Sequence, residues 1–234
     1  MSAPEGVTKT AALDVVVLAS GRGSNLRSIL AACDAGTCAA RVVAVVSDKP
    51  DAPALTLARE RGVATAVVEL HGKADRPAWD ARLASAVARF LEPSKQPGLV
   101  VLAGFMRIVG PAMLAQFPHR IVNVHPALLP SFKGSDGPAQ AIAAGVRLSG
   151  CTVHLVDAGV DTGPVLAQAA VRVMPGDDAA ALHARIQRAE HVLLPAVLDA
   201  VARGVLVLAA VPLHLELPSG EPGALAALYS PALA

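Results

Sequence analysis

Aromatic side chains are scarce in this chain: one Trp, one Tyr and four Phe among 234 residues. A groove that stacks successive nucleobases needs such rings, so their scarcity argues against a single-stranded nucleic-acid surface. Surplus charge is lacking as well. Lys and Arg total 20 against 19 Asp and Glu, a formal +1, whereas duplex binding needs a basic surface that displaces counterions. Cysteine is limited to Cys33, Cys38 and Cys151, an odd number without a C-x-x-C spacing. These read as reduced, buried thiols rather than a disulfide framework or a metal site. Long hydrophobic runs are missing too, although mean hydropathy is +0.50. A spanning helix needs about 20 apolar residues, and the stretch from Gly204 to Leu215 is shorter and holds Pro212 and His214. Nor does the opening read as a secretory leader, because Glu5 precedes Lys9 and Asp14 interrupts the first apolar run. The expectation is a neutral cytoplasmic protein, rich in Ala and Val, with no nucleic-acid or membrane partner and length for one large α/β domain.

What is present alternates. Leu13 to Ala19, Val42 to Ser47, Ala64 to Val68, Leu99 to Ala103 and Arg120 to Val124 are short, nearly continuous apolar runs, the pattern of strands buried on both faces. Helical stretches separate them: Ser24 to Ala35 with Ser24 as cap, Ala52 to Arg61 closed by Gly62, Asp75 to Leu91 and Pro111 to Gln116. This order predicts a Rossmann-like, doubly wound, mostly parallel sheet. After His125 the character changes. Pro126 to Pro138 reads as a long loop, Cys151 to Val156 and Val165 to Val173 as longer strands, and Asp177 to Arg203 as one long helix kinked at Pro195. We expect a loose leader over 1–12, a single domain over 13–210 and a tail over 211–234. Within the domain, we distinguish two halves, 13–124 and 125–210, at the change of character after the fifth strand.

Two segments carry chemistry. Ser20-Gly21-Arg22-Gly23-Ser24-Asn25 follows a buried strand and opens a helix, which aims backbone N–H groups and the positive end of a helix dipole at one point. A phosphate monoester, a dinucleotide with Asp48 as its ribose carboxylate, or a plain turn all fit. The dinucleotide reading is weakened by Leu26 at the third glycine position of G-x-G-x-x-G. The second segment is Asn123-Val-His125-Pro126. Residues two apart on a strand share a face, so Asn123 and His125 emerge together at the strand's carboxyl end. Asn offers a neutral donor for a developing oxyanion, and His carries a proton near neutral pH. Asp161, with Asp157 second, is the carboxylate expected to orient that imidazole.

The run Asn123-Val-His125-Pro-Ala-Leu-Leu-Pro130-Ser-Phe-Lys-Gly134 resembles the signature of the folate-dependent formyltransferases. The resemblance extends from about Val15 to Arg203. It takes in Ser20 to Leu26, Leu102 to Ile108, Gly150 to His154, Asp161 to Val165 and Gln187 to His191. It implies formyl transfer from the co-substrate 10-formyltetrahydrofolate to the amine of glycinamide ribonucleotide, with no metal. Asn123, His125 and Asp161 match the catalytic positions. Gly23, Ser24 and Asn25 match those that hold the phosphate, and Gln187 and Glu190 those that meet the ribonucleotide. Met106, Arg107, Ile108 and Val109 would line the folate pocket with the turn of Val156, Asp157, Ala158, Gly159 and Val160, and Arg76 would meet the folate's acidic tail.

Lys133 and His154 also fall in these motifs but read as a solvated loop lysine and a satisfied strand histidine. The sequence departs from the family at Ala127, where Ser is usual, and at Gly137-Pro138. A methionyl-tRNA formyltransferase would need a further carboxyl-terminal domain and a basic surface, and a formyltetrahydrofolate hydrolase a further amino-terminal domain. Both are kept as alternatives to a transferase expected as monomer or homodimer.

Overall fold

The computed structural model describes residues 12–94 and 97–208. Seven strands form one sheet: β1 (Leu13–Leu18), β2 (Ala40–Ser47), β3 (Ala64–Val67), β4 (Leu99–Leu102), β5 (Ile121–His125), β6 (Leu148–Leu155) and β7 (Val165–Arg172). Their order is β3-β2-β1-β4-β5-β6-β7. The first five strands are mutually parallel, while β6 runs antiparallel to β5 and β7 antiparallel to β6. The α/β class and the mostly parallel sheet match the sequence pattern. That β6 reverses direction is new, because an apolar run carries no sign of its polarity.

Six helices flank the sheet among the described residues: α1 (Ser24–Asp34), α2 (Pro53–Glu60), α3 (Arg76–Leu91), α4 (Pro111–Gln116), α5 (Gly137–Ala143) and α6 (Ala179–Ala202). The continuous apolar strands are explained by two cores. Val15 and Val17 of β1 pack on one side with Leu26, Leu55, Ile186 and Leu193, while Val16 and Leu18 pack on the other with Trp79, Leu83 and Met113. Alternate side chains therefore face opposite layers, and both layers are dry.

Three local expectations are corrected. Ser24 does not cap α1. The cap position is Gly23, left-handed at φ 75°, and Ser24 is the first helical residue. Gly23 is required there on two counts, its positive φ and the 2.9 Å that would separate an added Cβ from the Ala54 Cβ. The loop after β5 does not extend to Pro138, because α5 begins at Gly137 with the proline in its first turn, where a missing N–H costs nothing. The final helix starts at Ala179 rather than Asp177. Asp178 caps it by accepting the Ala181 N–H at 2.8 Å. The expected leader, apart from Ala12, and the expected tail lie outside the described residues. No helix among those described is long and apolar enough to cross a membrane.

One buried carboxylate joins the fold to the site. Asp80 of α3 is 3% exposed and accepts the Gly110, Ala112 and Met113 N–H groups at 2.6, 2.8 and 3.3 Å, capping α4 from a neighbouring helix. An added Cβ at Gly110 would sit 2.7 Å from the carboxylate. Asp80→Ala leaves these donors without their acceptor and is expected to lower unfolding free energy by about 2–4 kcal/mol in denaturant titration. A loss below about 1 kcal/mol would contradict this role.

Candidate active site

A cavity of about 920 Å³ opens where the strand order reverses, between the segments that follow β1 and β4. Doubly wound sheets bind ligands at such a point. Its lining includes Gly21 to Asn25, Leu102 to Val109, Asn123 to Pro126, the turn after β6, and Gln187 and Glu190 of α6. The cavity thus draws on residues both before and after 125.

At one end stands the amino terminus of α1. The first helical hydrogen bond of the chain here runs from the Arg27 N–H to the Gly23 carbonyl at 2.9 Å, and no side chain caps the helix from its N-cap position. The N–H groups of the first turn therefore have no acceptor inside the helix and aim along its axis, a geometry suited to an anion. Asn25 is buried and donates through Nδ2 to Glu190 Oε2 at 2.9 Å, joining α1 to α6. Burial pushes the Glu190 carboxyl up, and the Asn25 amide opposes that shift. Gln187 lies one turn before Glu190 on the same helix face and also lines the cavity.

In the middle stand Asn123, His125 and Asp161. The two β5 residues share a face as expected, and β6 pairs Asn123 with His154 and His125 with Thr152. Asp161 comes back to them from the turn between β6 and β7. Its Oδ2 lies 3.3 Å from His125 Nδ1 and accepts the Gly134 N–H at 2.8 Å, while Oδ1 lies 3.5 Å from His154 Nε2. Burial pushes the Asp161 carboxyl up, but His154, the Gly134 N–H and His125 outweigh it and hold the carboxyl below its ordinary range. Asp157, the second choice, is engaged elsewhere. It accepts from Gly159 N–H and Thr162 Oγ1 and shapes the turn.

The hydrogen-bond partners define proton positions. His125 Nε2 lies 2.8 Å from the Phe132 carbonyl, which can only accept, so this nitrogen carries a hydrogen. The other ring nitrogen, Nδ1, faces Asp161. His154 Nδ1 lies 2.8 Å from the Leu155 carbonyl, which turns Nε2 toward both Asn123 Nδ2 at 3.1 Å and Asp161 Oδ1 at 3.5 Å. That contact places the Asn123 amide beside the carboxylate. His154 is therefore part of the site rather than a bystander. Phe132 at φ 57° and Asp161 at φ 51° are left-handed, and such backbone strain collects where a site fixes a group's direction.

The wall at the other end is Phe105 to Val109. Met106 and Ile108 are 73% and 55% exposed, Val109 is buried, and Arg107 forms an ion pair with Asp48 at 2.7 Å. Of the turn residues, Val156, Asp157, Gly159 and Val160 line the cavity, and Ala158 does not. Arg76 does not line it either. Its guanidinium donates to the Ile108 carbonyl at 2.5 Å and lies over the Trp79 ring, behind the wall. Lys133 contributes its carbonyl to Gln140. The sequence reading missed Phe105, Arg22 and His183, all of which line the cavity. His183 was findable, since it lies four residues before Gln187 on one helical stripe.

This geometry has counterparts. The model of the family described as "Formyl transferase" matches residues 13–198, and the chain belongs to that family. Phosphoribosylglycinamide formyltransferase of Mycobacterium tuberculosis is 49% identical over 208 residues, spanning 88% of this chain and 94% of that one. The crystal structure of glycinamide ribonucleotide transformylase 1 from Symbiobacterium toebii matches with a TM-score of 0.79 at 42% identity, covering 88% of this chain and 95% of that chain. A formyltetrahydrofolate deformylase from Pseudomonas syringae also matches, with a TM-score of 0.75 at 25% identity, covering 85% of this chain but 64% of that chain.

The lowered pKa of Asp161 makes a stability prediction. A carboxyl with a folded value below its unfolded value adds stability at pH above about 4, and loses it as pH falls through the folded value. The stability difference between wild type and Asp161→Asn should shrink as pH drops from 5 toward 2 in thermal melts. A difference constant over that interval would contradict the assignment.

Proposed function

We propose that the protein transfers the formyl group of 10-formyltetrahydrofolate to the primary amine of glycinamide ribonucleotide, in keeping with the formyltransferase names of relatives it matches. The observation that carries the proposal is the convergence of Asn123, His125 and Asp161 midway in a cavity with an anion-binding helix terminus at one end and an apolar wall at the other. The phosphate goes to the N–H groups of Gly23, Ser24 and Asn25, which needs no surplus of Lys or Arg. Gln187 and Glu190 meet the ribose, for which a buried carboxylate is a strong acceptor. The pterin is held by Met106 to Val109 and the turn 156–160, by aliphatic side chains and main-chain hydrogen bonds. Arg76 supports that wall from behind through the Ile108 carbonyl.

The chemistry follows from the positions. The ribonucleotide amine attacks the formyl carbon, and the carbonyl oxygen becomes an oxyanion. The amide N–H of Asn123 and a protonated His125 stabilise that charge. The attacking nitrogen must lose a proton and the folate nitrogen must gain one before the carbon–nitrogen bond to folate breaks. His125 and Asp161, acting through water, carry that proton. The products are formylglycinamide ribonucleotide and tetrahydrofolate, with no covalent enzyme intermediate.

Absorbance of the deformylated folate tests this. Turnover should need both substrates, and His125→Ala should lower kcat/KM by about a thousandfold with folding intact. Turnover without ribonucleotide would assign the protein as a hydrolase. No turnover with either substrate, or a near-normal His125→Ala rate, would overturn the proposal.

A further inference from the structure

The wall from Phe105 to Val109 lies between the end of β4 and the start of α4, and among the described residues no backbone–backbone hydrogen bond joins it to the rest of the protein. Side chains hold it instead. Ser20 Oγ accepts the Met106 N–H at 2.9 Å, Arg76 donates to the Ile108 carbonyl, and Asp80 takes the Gly110 N–H just beyond. The link at Arg107 differs in kind. Asp48, the residue directly after β2, pairs through Oδ2 with Arg107 Nε at 2.7 Å. The Asp48 side chain is wholly buried, and its Oδ1 is enclosed without a hydrogen-bond partner. A carboxylate withdrawn from water with a single partner depends strongly on that partner.

We propose that Asp48 is a positioning residue for the formyl-folate substrate. It anchors Arg107 to the sheet edge, and this fixes the direction of the main chain that presents Met106 and Ile108 to the cavity. The inference rests on the reading of this wall as the folate site. It also gives Asp48 a different task from the ribose contact that its place after β2 suggested. With Asp48 committed to Arg107, its carboxylate is not free for a ribose hydroxyl.

The alternation along the wall explains why the anchor falls at 107. Met106 and Ile108 are the exposed apolar members, and Arg107 between them is 36% exposed at its side chain while its guanidinium reaches back to β2. Freed from Asp48, this arginine can extend into solvent, so deleting the carboxylate leaves no buried charge behind. The reverse deletion, Arg107→Ala, strands Asp48 in the interior and is expected to destabilise the fold. Asp48 is therefore the informative position to vary.

Asp48→Ala should raise KM for 10-formyltetrahydrofolate about tenfold by loosening a preformed wall. KM for glycinamide ribonucleotide and kcat at saturating folate should stay within about twofold. Asp48→Asn, which keeps volume and an acceptor for Arg107 Nε, should recover about half of that loss on a logarithmic scale. Adding Arg107→Ala to Asp48→Ala should raise folate KM by less than twofold more, because the two residues act as one unit. Fluorescence titration with the folate substrate, checked against melting temperature, separates the outcomes. A lower melting temperature with folate KM unchanged, or equal rises in both KM values, overturns the positioning role. Wild-type protein that binds no formyl-folate overturns the reading of the site itself.

Discussion

The antiparallel pairing of β5 with β6 sets the geometry on which the centre of the cavity depends. Its register puts His154 opposite Asn123, with Nε2 3.1 Å from the amide nitrogen. The chain leaves β6 beside Val122, so the turn 156–164 has to fold back along the sheet, which returns Asp161 to His125. A slip of one residue would turn every β6 side chain to the opposite face. His154 would enter the core now filled by Cys151, Val153 and Leu155, and Asn123 would lose its orienting partner. The parallel strands supply a different constraint. Because β1 and β4 are neighbours around which the order reverses, the segments after them diverge and leave room for a ligand.

The site stores several unfavourable features inside an otherwise well-satisfied fold. Phe132 and Asp161 occupy left-handed backbone, Glu190 is a buried carboxyl raised by desolvation, and Asn25 Oδ1 is enclosed without a donor. Each lies on the cavity or directly supports a residue that does. The two apolar cores, closely packed on both sides of the sheet, provide the stability that such groups diminish. Rigid strands aim Asn123 and His125, while the loop 126–136 supplies the Phe132 carbonyl to His125 and the Gly134 N–H to Asp161.

Much of this was readable from residues alone. Period-two alternation placed Asn123 and His125 on one face without any structure, since strand geometry is local. Doubly buried strands were readable for the same reason. Asp161 was the expected carboxylate, with Asp157 second, and it is the one that meets the imidazole, although both sit in one turn whose folding back strand geometry does not state. His154 read as a satisfied strand residue, and it is satisfied, but by Asn123, which depends on a register that the sequence does not state. Gly23 rather than Ser24 capping α1 reflects the close approach of Ala54, a contact from a distant helix. Arg76 was assigned to the folate tail through resemblance, while its observed bond to Ile108 depends on how α3 packs behind the wall.

If the centre of the cavity is built for a tetrahedral intermediate, it must favour that species over the planar formyl group. The direct measurement is binding of a non-reactive conjugate joining the ribonucleotide and folate through a hydrated, tetrahedral carbon, compared with binding of an unreactive planar folate analogue. Calorimetry on wild type and Asn123→Ala should give a loss of at least tenfold for the tetrahedral compound, and less than twofold for the planar one. Equal losses for both would mean that Asn123 binds the ground state, and the account of the site as an oxyanion-stabilising centre would be wrong.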